Sequence, residues 1–287
     1  MPQPTSPGDY ADFYRQSIAP DTREAFWLEQ ARAIDWHQAP QQACDYHNPP
    51  FARWFADGQL NLCHNAVDRH LAQRADQPAI IAVSTETNTE RVYTFAQLHE
   101  EVQRMAAVLQ SFGVGKGDRV QIYMPMIAEA AFAMLACVRL GAIHSVVFGG
   151  FASVSLASRI DDAQPKVVIS ADAGSRGGKA IAYKPLLDEA LQLAKHKPAA
   201  VLLVDRGLAP MPLQAGRDHL WSTLRTQPQF SEAKVPCTWL NSSDPSYILY
   251  TSGTTGKPKG VQRDTGGYAV ALASSMQHIF AGQAGQT

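Results

Sequence analysis

Residues 246–260 read Ser-Tyr-Ile-Leu-Tyr-Thr-Ser-Gly-Thr-Thr-Gly-Lys-Pro-Lys-Gly, and this stretch decides both the fold and the kind of site. Its first part, residues 247–250, is a β-prone apolar run that leads into a loop rich in glycine. Glycines let backbone N–H groups approach an anion closely. Four hydroxyl side chains add further donors: Thr251, Ser252, Thr254 and Thr255. Lys257 supplies a positive charge. Together, the backbone N–H groups, the hydroxyls and this charge predict a site that binds a triphosphate.

This loop differs from the P-loop of nucleoside triphosphatases. That motif needs Gly-x-x-x-x-Gly-Lys-Ser/Thr with a helix behind the lysine. Here Thr251 stands at the first glycine position, and Pro258 stands at the place of the Ser or Thr. Proline disfavours helical geometry in the residue before it, so we expect the chain to run strand–loop–strand through Lys257. A Gly/Thr surface turn is the alternative interpretation.

Outward from this loop, short β-prone runs alternate with helical patterns. Strands are predicted at residues 79–83, 91–94, 119–124, 142–148, 166–170 and 199–205. Helices are predicted from a capping box at Thr94 and Gln97 to Gly113, and at residues 127–140, 153–162, 184–196 and about 266–280. Residues 205–244 are expected to form a less regular surface excursion. The alternation predicts an α/β fold, a mostly parallel sheet covered by helices.

The first 65 residues differ in composition from the rest of the chain. They are rich in aromatic side chains and are interrupted by Pro40, Pro49 and Pro50. One short amphipathic helix is expected between residues 21 and 34, and the first nine residues are expected to be a disordered lead. The sequence therefore predicts a cap over residues 1–65 that has no core of its own, and a larger domain over residues 66–287.

Composition excludes several classes of protein. The 287 residues are 45% hydrophobic and 18% charged, with a formal net charge of -1. Without a basic excess, no nucleic-acid or membrane-surface partner is expected. The four cysteines form no CxxC pair, so neither a zinc ribbon nor a disulfide framework is indicated. No targeting segment or membrane span is visible, and a cytoplasmic location is expected.

A second cluster of positive charge lies at residues 174–179, Gly-Ser-Arg-Gly-Gly-Lys. Gly177 and Gly178 separate Arg176 from Lys179, and they allow the chain to curl so that both cations converge on one anion. Without other support, the same pattern also fits an ordinary basic turn.

The loop at residues 251–257 resembles the phosphate-loop signature of the adenylate-forming superfamily, which includes the acyl-CoA synthetases. The resemblance extends from about Asp9 over almost the whole chain. Residues 54–61 and 145–151 are similar to acetyl- and propionyl-CoA synthetases. Residues 260–268, Gly-Val-Gln-Arg-Asp-Thr-Gly-Gly-Tyr, resemble the propionate-activating members, because acetate enzymes more often carry His-Thr or His-Ser there. The resemblance implies the N-terminal part of the large adenylate-forming domain, truncated.

The resemblance also implies a chemistry. Members of this family activate a short carboxylate with Mg-ATP to an acyl-adenylate and pyrophosphate, and then transfer the acyl group to coenzyme A, releasing AMP. The loop that grips the β- and γ-phosphates would comprise Thr251, Ser252, Gly253, Thr254, Thr255, Gly256 and Lys257. Arg176 and Lys179 would hold the 3′-phosphate of coenzyme A, and Gly150 would lie beside its pantetheine. The family often has Arg at the position of Lys179, so a looser contact is expected, since Lys lacks the bidentate fork.

No residue of this chain is predicted to act as general acid, general base, nucleophile or metal ligand. By the resemblance, the Mg²⁺ ligands lie outside the chain, and the 287 residues alone are expected to have no ligase activity. Three alternatives stay open: a ligase for acetate or another short acid, an inactive module that binds ATP or coenzyme A, and a nucleotide-binding α/β protein outside the family.

Overall fold

The computed structural model describes residues 7–252 and 258–286, without the side chains of residues 7–9 and 176. The helices are α1 (Pro7–Ile18), α2 (Arg23–Ala31), α3 (Leu62–Ala66), α4 (Leu71–Arg74), α5 (Phe95–Ser111), α6 (Ala128–Leu140), α7 (Ser153–Ala163), α8 (Tyr183–Leu193), α9 (Trp221–Leu224), α10 (Pro228–Ser231) and α11 (Gly266–His278), with a 3₁₀ turn at Asp68–His70. The strands are β1 (Cys44–Asn48), β2 (Phe51–Trp54), β3 (Gln59–Leu60), β4 (Pro78–Ser84), β5 (Thr89–Thr94), β6 (Arg119–Met124), β7 (Ile143–Phe148), β8 (Val167–Ala171), β9 (Ala173–Arg176), β10 (Lys179–Ala182), β11 (Ala200–Val204), β12 (Asp218–Leu220), β13 (Leu240–Asn241), β14 (Pro245–Thr251) and β15 (Lys259–Asp264).

A seven-stranded sheet organises the chain, in the order β12-β11-β8-β6-β7-β14-β15. Every pairing from β12 to β14 is parallel. The smaller pairs β1–β2, β3–β13, β4–β5 and β9–β10 are antiparallel. The predicted α/β class with a mostly parallel, helix-covered sheet is therefore confirmed.

The helix α5 follows its local sequence signals. Thr94 Oγ1 accepts a hydrogen bond from the Gln97 N–H at 3.2 Å, and Gln97 Oε1 accepts one from the Thr94 N–H at 3.0 Å. This is the predicted capping box, which satisfies two N–H groups of the first turn. The helix ends before Gly113, whose φ of 78° is the left-handed conformation that glycine adopts readily.

One face of the sheet is buried by α7 and α8. On the sheet side the core contains Tyr123, Val147, Val168, Val201 and Leu203, and on the helix side Leu156, Ile160, Leu187 and Leu191. All five residues of β8 and of β11 are buried. Burial on both faces explains why these strands read as continuous apolar runs and not as alternating patterns.

The chain divides into two compact units that are discontinuous in sequence. The larger unit comprises residues 66–238 and 246–262; the smaller one combines residues up to 65 with residues 239–245 and 263 onward. The smaller unit has an aromatic-rich core of Ala31, Ile34, Ala43, Phe55, Leu60, Ala269 and Val270, with Trp27, Trp36 and Trp54 packed against it. The aromatic N-terminal residues thus share their core with α11. The predicted domain boundary after residue 65 stays a prediction.

Two stretches are more regular than predicted. The helix α1 begins at Pro7, within the segment that was expected to be a disordered lead. Residues 205–244, expected to be an irregular excursion, contribute the strand β12, which pairs in parallel with β11 and forms one edge of the sheet. Its three residues are too few to give a periodic signal in the sequence.

A buried ion pair holds the larger unit together. Arg139 donates to both carboxylate oxygens of Asp68, at 2.8 and 2.9 Å, and its Nε donates to the Val235 carbonyl at 2.6 Å. Burial raises the pKa of the Asp68 carboxyl, but hydrogen bonds from His99 and Arg139 outweigh burial and hold that pKa well below its usual range. The charged carboxylate therefore contributes its full stabilisation above its ordinary pKa of about 4. This contribution declines as the pH falls below that value and is lost as the pH passes through the depressed pKa of the folded state.

We predict that Asp68→Asn lowers the free energy of unfolding by about 3–5 kcal/mol at pH 7, because it removes the carboxylate that pairs with a buried guanidinium. Urea unfolding of the purified chain measures the change. Asp12→Asn is the matched control, since the Asp12–Arg15 pair is exposed and worth less than about 1 kcal/mol. Equal, small losses in both variants would contradict this account of the ion pair.

A half-buried histidine adds a second dependence on pH. Burial lowers the pKa of His144 in β7 to about 4, and its Nδ1 has no hydrogen-bond partner among the described residues. The unfolded chain takes up this proton near pH 6.5, whereas the folded chain resists it until about pH 4. The free energy of unfolding should therefore fall as the pH is lowered from about 6.5 to 4.

We predict that His144→Gln makes this pH dependence shallower, because glutamine does not titrate. Stability curves at half-unit pH intervals between 4 and 7 measure the slope. His47→Gln removes an exposed imidazole in β1 and should leave the slope of the larger unit unchanged. Identical slopes in the parent chain and His144→Gln would show that His144 does not titrate in this range.

Candidate functional site

The candidate site lies where the parallel strands end. The strand β7 ends at Phe148, β8 at Ala171 and β14 at Thr251. Because these strands are parallel, their carboxyl ends meet at the same edge of the sheet. This edge therefore gathers the predicted phosphate loop, the segment containing Gly150 and the predicted basic cluster.

The strand order creates a topological switch point at β6. From β6 the chain crosses to β7 on one side and then returns past β6 to β8 on the other side. In open α/β sheets, ligands bind in the crevice outside the carboxyl ends at such a point. The segments that follow β7 and β8 flank this crevice.

The predicted strand–loop–strand geometry around the phosphate loop is confirmed. The loop leaves β14 at Thr251, and the chain resumes as β15, which lies next to β14 in the sheet. Thr251 and Ser252 are exposed. The remaining predicted loop residues lie outside the described residues: Gly253, Thr254, Thr255, Gly256 and Lys257.

Side chains of α7 contact the end of β14. The Tyr250 hydroxyl donates to Asp162 in α7 at 2.6 Å. Burial raises the pKa of Tyr250, and the hydrogen bond to Asp162 raises it further. The Arg159 guanidinium lies 5.3 Å from the Tyr250 ring centroid and 4.4 Å from that of Phe151, within cation–π distance of both rings. The chain entering the phosphate loop is thus anchored to α7 and, through Arg159, to Phe151.

The basic cluster forms a β-hairpin of β9 and β10. Arg176 and Lys179 are paired across its end, and the intervening Gly177 and Gly178 have φ angles of 58° and 75°. Two left-handed residues in a two-residue hairpin turn are typical of type I′ geometry, which L side chains rarely adopt. The predicted curl at these glycines is therefore confirmed. Lys179 is exposed.

Buried polar groups that sequence reasoning missed hold the base of this hairpin. The Asp172 carboxylate is fully buried and accepts hydrogen bonds from the N–H groups of Ala173 and Leu208, at 2.8 and 2.7 Å. Arg206 donates to the Ala173 carbonyl at 3.3 Å and pairs with Glu86. The available signal in the sequence was an acidic residue, Asp172, directly after an apolar strand. Nothing near it in the sequence identifies its distant partners.

The segment after β7 contains Gly150, which is half-buried, between a buried Gly149 and an exposed Phe151. The Tyr123 hydroxyl, at the end of β6, lies within hydrogen-bond distance of the carbonyls of residues 149 and 151, at 3.3 and 3.2 Å. Burial raises the pKa of Tyr123 to about 12, so this group remains a donor at neutral pH. Phe148, just before these glycines, is 68% exposed.

The predicted phosphate loop and the hairpin leave the sheet edge at separate points. Their parent strands, β14 and β8, are three strand spacings apart, which is about 14 Å along the edge. Neighbouring phosphates of one triphosphate lie too close together to engage both. The two predicted anion sites are therefore separate, and residues 149–151 follow β7, which lies between their parent strands.

The fold defines an α/β protein whose predicted phosphate loop follows β14 at the carboxyl edge of the sheet, and the comparisons give its family. Residues 67–286 match the family model for AMP-binding enzymes, and residues 10–66 match that for the acetyl-coenzyme A synthetase N-terminus. This chain belongs to the AMP-binding enzyme family. The resemblance drawn from its sequence motifs is confirmed.

Named relatives are much longer than this chain. A propionate–CoA ligase of Escherichia coli (strain K12) is 60% identical over 276 residues, which cover 96% of this chain and 43% of the ligase. The human mitochondrial acyl-CoA synthetase short-chain family member 3 is 44% identical, over 98% of this chain and 40% of the relative. The solved acetoacetyl-CoA synthetase from Streptomyces lividans has a TM-score of 0.83 at 27% identity, covering 96% of this chain and 41% of that one. The chain thus spans less than half the length of these relatives.

We predict that Tyr250→Phe lowers the free energy of unfolding by about 1 kcal/mol, because it removes the hydrogen bond to Asp162 and leaves the ring in place. Urea unfolding measures the loss. Tyr46→Phe, at an exposed ring in β1, is the control and should change stability by much less. If the two variants unfold alike, Asp162 does not anchor the end of β14.

Proposed function

We propose that this chain is the N-terminal part of an ATP-dependent, AMP-forming ligase that joins propionate to coenzyme A. The carboxylate would attack the α-phosphorus of ATP, breaking the bond to the bridging oxygen and releasing pyrophosphate. The coenzyme A thiolate would then attack the acyl carbon of the adenylate, and AMP would leave. The proposal is carried by the phosphate loop at the switch edge of the sheet, in a chain 60% identical to a propionate–CoA ligase.

In this proposal the phosphate loop binds the β- and γ-phosphates of ATP. The exposed hydroxyls of Thr251 and Ser252 at the carboxyl edge fit such a group, and they stand next to the glycines and Lys257 in the sequence. Charge moves onto the pyrophosphate as it leaves, so donors held in place beforehand stabilise the transition state more than the bound substrate. Mg²⁺ would neutralise part of that charge, and its ligands would come from outside these 287 residues.

The hairpin is the proposed site for the 3′-phosphate of coenzyme A, through Arg176 and Lys179. The paired positions of these two residues and the exposure of Lys179 support this role. Gly150 would lie beside the pantetheine. Because the hairpin is about 14 Å along the edge from β14, ATP and coenzyme A could occupy the edge together.

Propionate is the proposed acid because residues 260–268 resemble propionate-activating members and because of the name of the Escherichia coli relative. Within this stretch the Asp264 carboxylate accepts the Tyr268 N–H at 3.2 Å, at the start of α11. Burial raises the pKa of Asp264. Acetate or another short acid is the alternative, and rates of the complete ligase with acetate, propionate and butyrate distinguish them.

We further propose residues 1–65 as a cap region and residues 66–287 as the first part of the AMP-binding domain. The family matches meet at residues 66 and 67, which supports this division. A reducing, cytoplasmic location is proposed from the four cysteines, whose spacing indicates no disulfide framework. The net charge of -1 supports the proposal that no nucleic acid or membrane is a partner. Among the described residues, no helix is both long and apolar enough to cross a bilayer.

The proposal is tested in a full-length ligase in which this chain is continued by the residues of the Escherichia coli relative beyond the matched part. We call this protein the joined ligase. We expect it to form AMP and propionyl-CoA from ATP, propionate and coenzyme A, whereas the 287-residue chain alone should release no pyrophosphate. Binding of ATP or coenzyme A without turnover in the joined ligase would instead favour an inactive binding module.

We predict that Lys257→Ala in the joined ligase lowers kcat/KM for ATP by about tenfold to hundredfold, because it removes a charge-assisted contact with phosphate. Pyrophosphate release at varied ATP measures this. Lys259→Ala, two residues further along in β15, is the matched control and should leave kcat/KM for ATP within twofold of the parent value. Unchanged ATP kinetics in Lys257→Ala would overturn the assignment of this loop.

A further inference from the structure

One aromatic ring separates two of the segments described above. A Cβ built on Gly149 would lie 2.0 Å from the Tyr183 hydroxyl oxygen, and a Cβ built on Gly174 would lie 2.3 Å from the same atom. The ring carbon bearing that hydroxyl would be only 2.4 and 2.7 Å away. Real Cβ atoms essentially never approach other atoms within 3.0 Å, so a side chain at either position would require the buried Tyr183 ring to shift.

Neither glycine is required by its backbone conformation, since neither φ lies in the left-handed region. The requirement comes from the close approach of the Tyr183 ring. Gly149 follows β7, and Gly174 lies in the hairpin after β8, where it pairs with Ile181. One side chain therefore contacts both segments that flank the switch point.

The ring is itself held firmly. Tyr183 is the first residue of α8, is 6% exposed, and donates its backbone N–H to the Asp172 carbonyl at 2.8 Å. Its ring packs against Tyr123 with the centroids 5.0 Å apart. Tyr123 stands at the end of β6, and its hydroxyl lies within hydrogen-bond distance of the residue 149 and 151 carbonyls. The two rings thus pack against each other beside the end of β6.

The sheet alone does not fix the distance between these segments. Hydrogen-bond ladders join β7 to β6 and β6 to β8, but β7 and β8 are not neighbours. Beyond the last residue of β6, a side chain must span the gap between them. Tyr183, backed by Tyr123, spans it.

We propose that Tyr183 is a positioning residue for coenzyme A: its ring sets the distance between residues 149–151 and the hairpin 173–182. This inference rests on the proposed function, in which these two segments hold the pantetheine and the 3′-phosphate. The phosphate loop leaves β14, on the far side of β7 from Tyr183. Loss of the ring should therefore impair use of coenzyme A and spare the adenylation step.

The experiment uses the joined ligase and two assays. Exchange of pyrophosphate into ATP in the presence of propionate reports adenylation alone, and AMP formation at varied coenzyme A reports the second step. We expect Tyr183→Leu to raise KM for coenzyme A at least tenfold while exchange stays within twofold of the parent rate. Tyr183→Phe keeps the ring and should raise KM by less than threefold.

A size exchange separates positioning from general damage. Gly174→Ala should raise KM for coenzyme A at least tenfold, since its methyl group meets the tyrosine ring. Adding Tyr183→Leu to it should bring KM back to within about threefold of the parent, because the methyl group then fills part of the vacated space. Adding Tyr183→Phe should give no such rescue, because the ring carbon at 2.7 Å remains.

The outcomes are distinguishable. If the parent joined ligase shows no coenzyme A-dependent AMP formation, the proposed function fails before Tyr183 is tested. If the parent is active but Tyr183→Leu changes both assays equally, or leaves KM for coenzyme A unchanged, the positioning role is overturned. If Tyr183→Leu does not fold, KM for coenzyme A in Gly174→Ala and in Gly174→Ala combined with Tyr183→Phe tests the positioning role instead. An unchanged KM in these two folded variants would equally overturn the inference.

Discussion

The parallel order of the strands around β6 is the constraint on which the rest of the site depends. It brings the carboxyl ends of β14, β7 and β8 to one edge, so loops far apart in sequence become neighbours in space. The same order leaves one distance unset at β6. The segments that follow β7 and β8 share no hydrogen-bond ladder, so the sheet does not fix their separation. A parallel sheet sets which loops meet, but not how far apart their tips lie. Side chains must supply that distance.

Two groups of aromatic side chains set the distance between these segments. At the end of β6, the tilted rings of Tyr123 and Tyr183 pack together and contact the segments on either side. At the end of β14, the Arg159 guanidinium lies between the rings of Phe151 and Tyr250. In both cases rings with few rotatable bonds fill a gap between strands, so little conformational entropy is lost in holding the geometry. The exposed side chains of Thr251 and Lys179, which we propose bind anions, are carried by segments next to these groups.

Local signals predicted most of the fold. Apolar runs located the inner strands, and Thr94 with Gln97 located the start of α5 to the residue. The predictions failed where the determinant was distant. The strand β12 has three residues and depends on β11 for its pairing. Likewise, no sequence pattern near Asp162 predicts that it accepts a hydrogen bond from Tyr250, 88 positions along the chain. Such contacts follow from the fold and leave no pattern in the sequence around either residue.

The glycines show how far this limit reaches into the site. Gly177 and Gly178 are required by their positive φ angles, and the sequence predicts that role from the turn alone. In the sequence, nothing distinguishes Gly149 and Gly174 from Gly177 and Gly178. Glycines in such a motif commonly allow the close approach of a ligand. The structure gives them another cause, since each accommodates the ring of Tyr183. A glycine-rich motif can therefore combine residues that face the ligand with residues that face the scaffold. Only the position of the aromatic side chain separates the two groups.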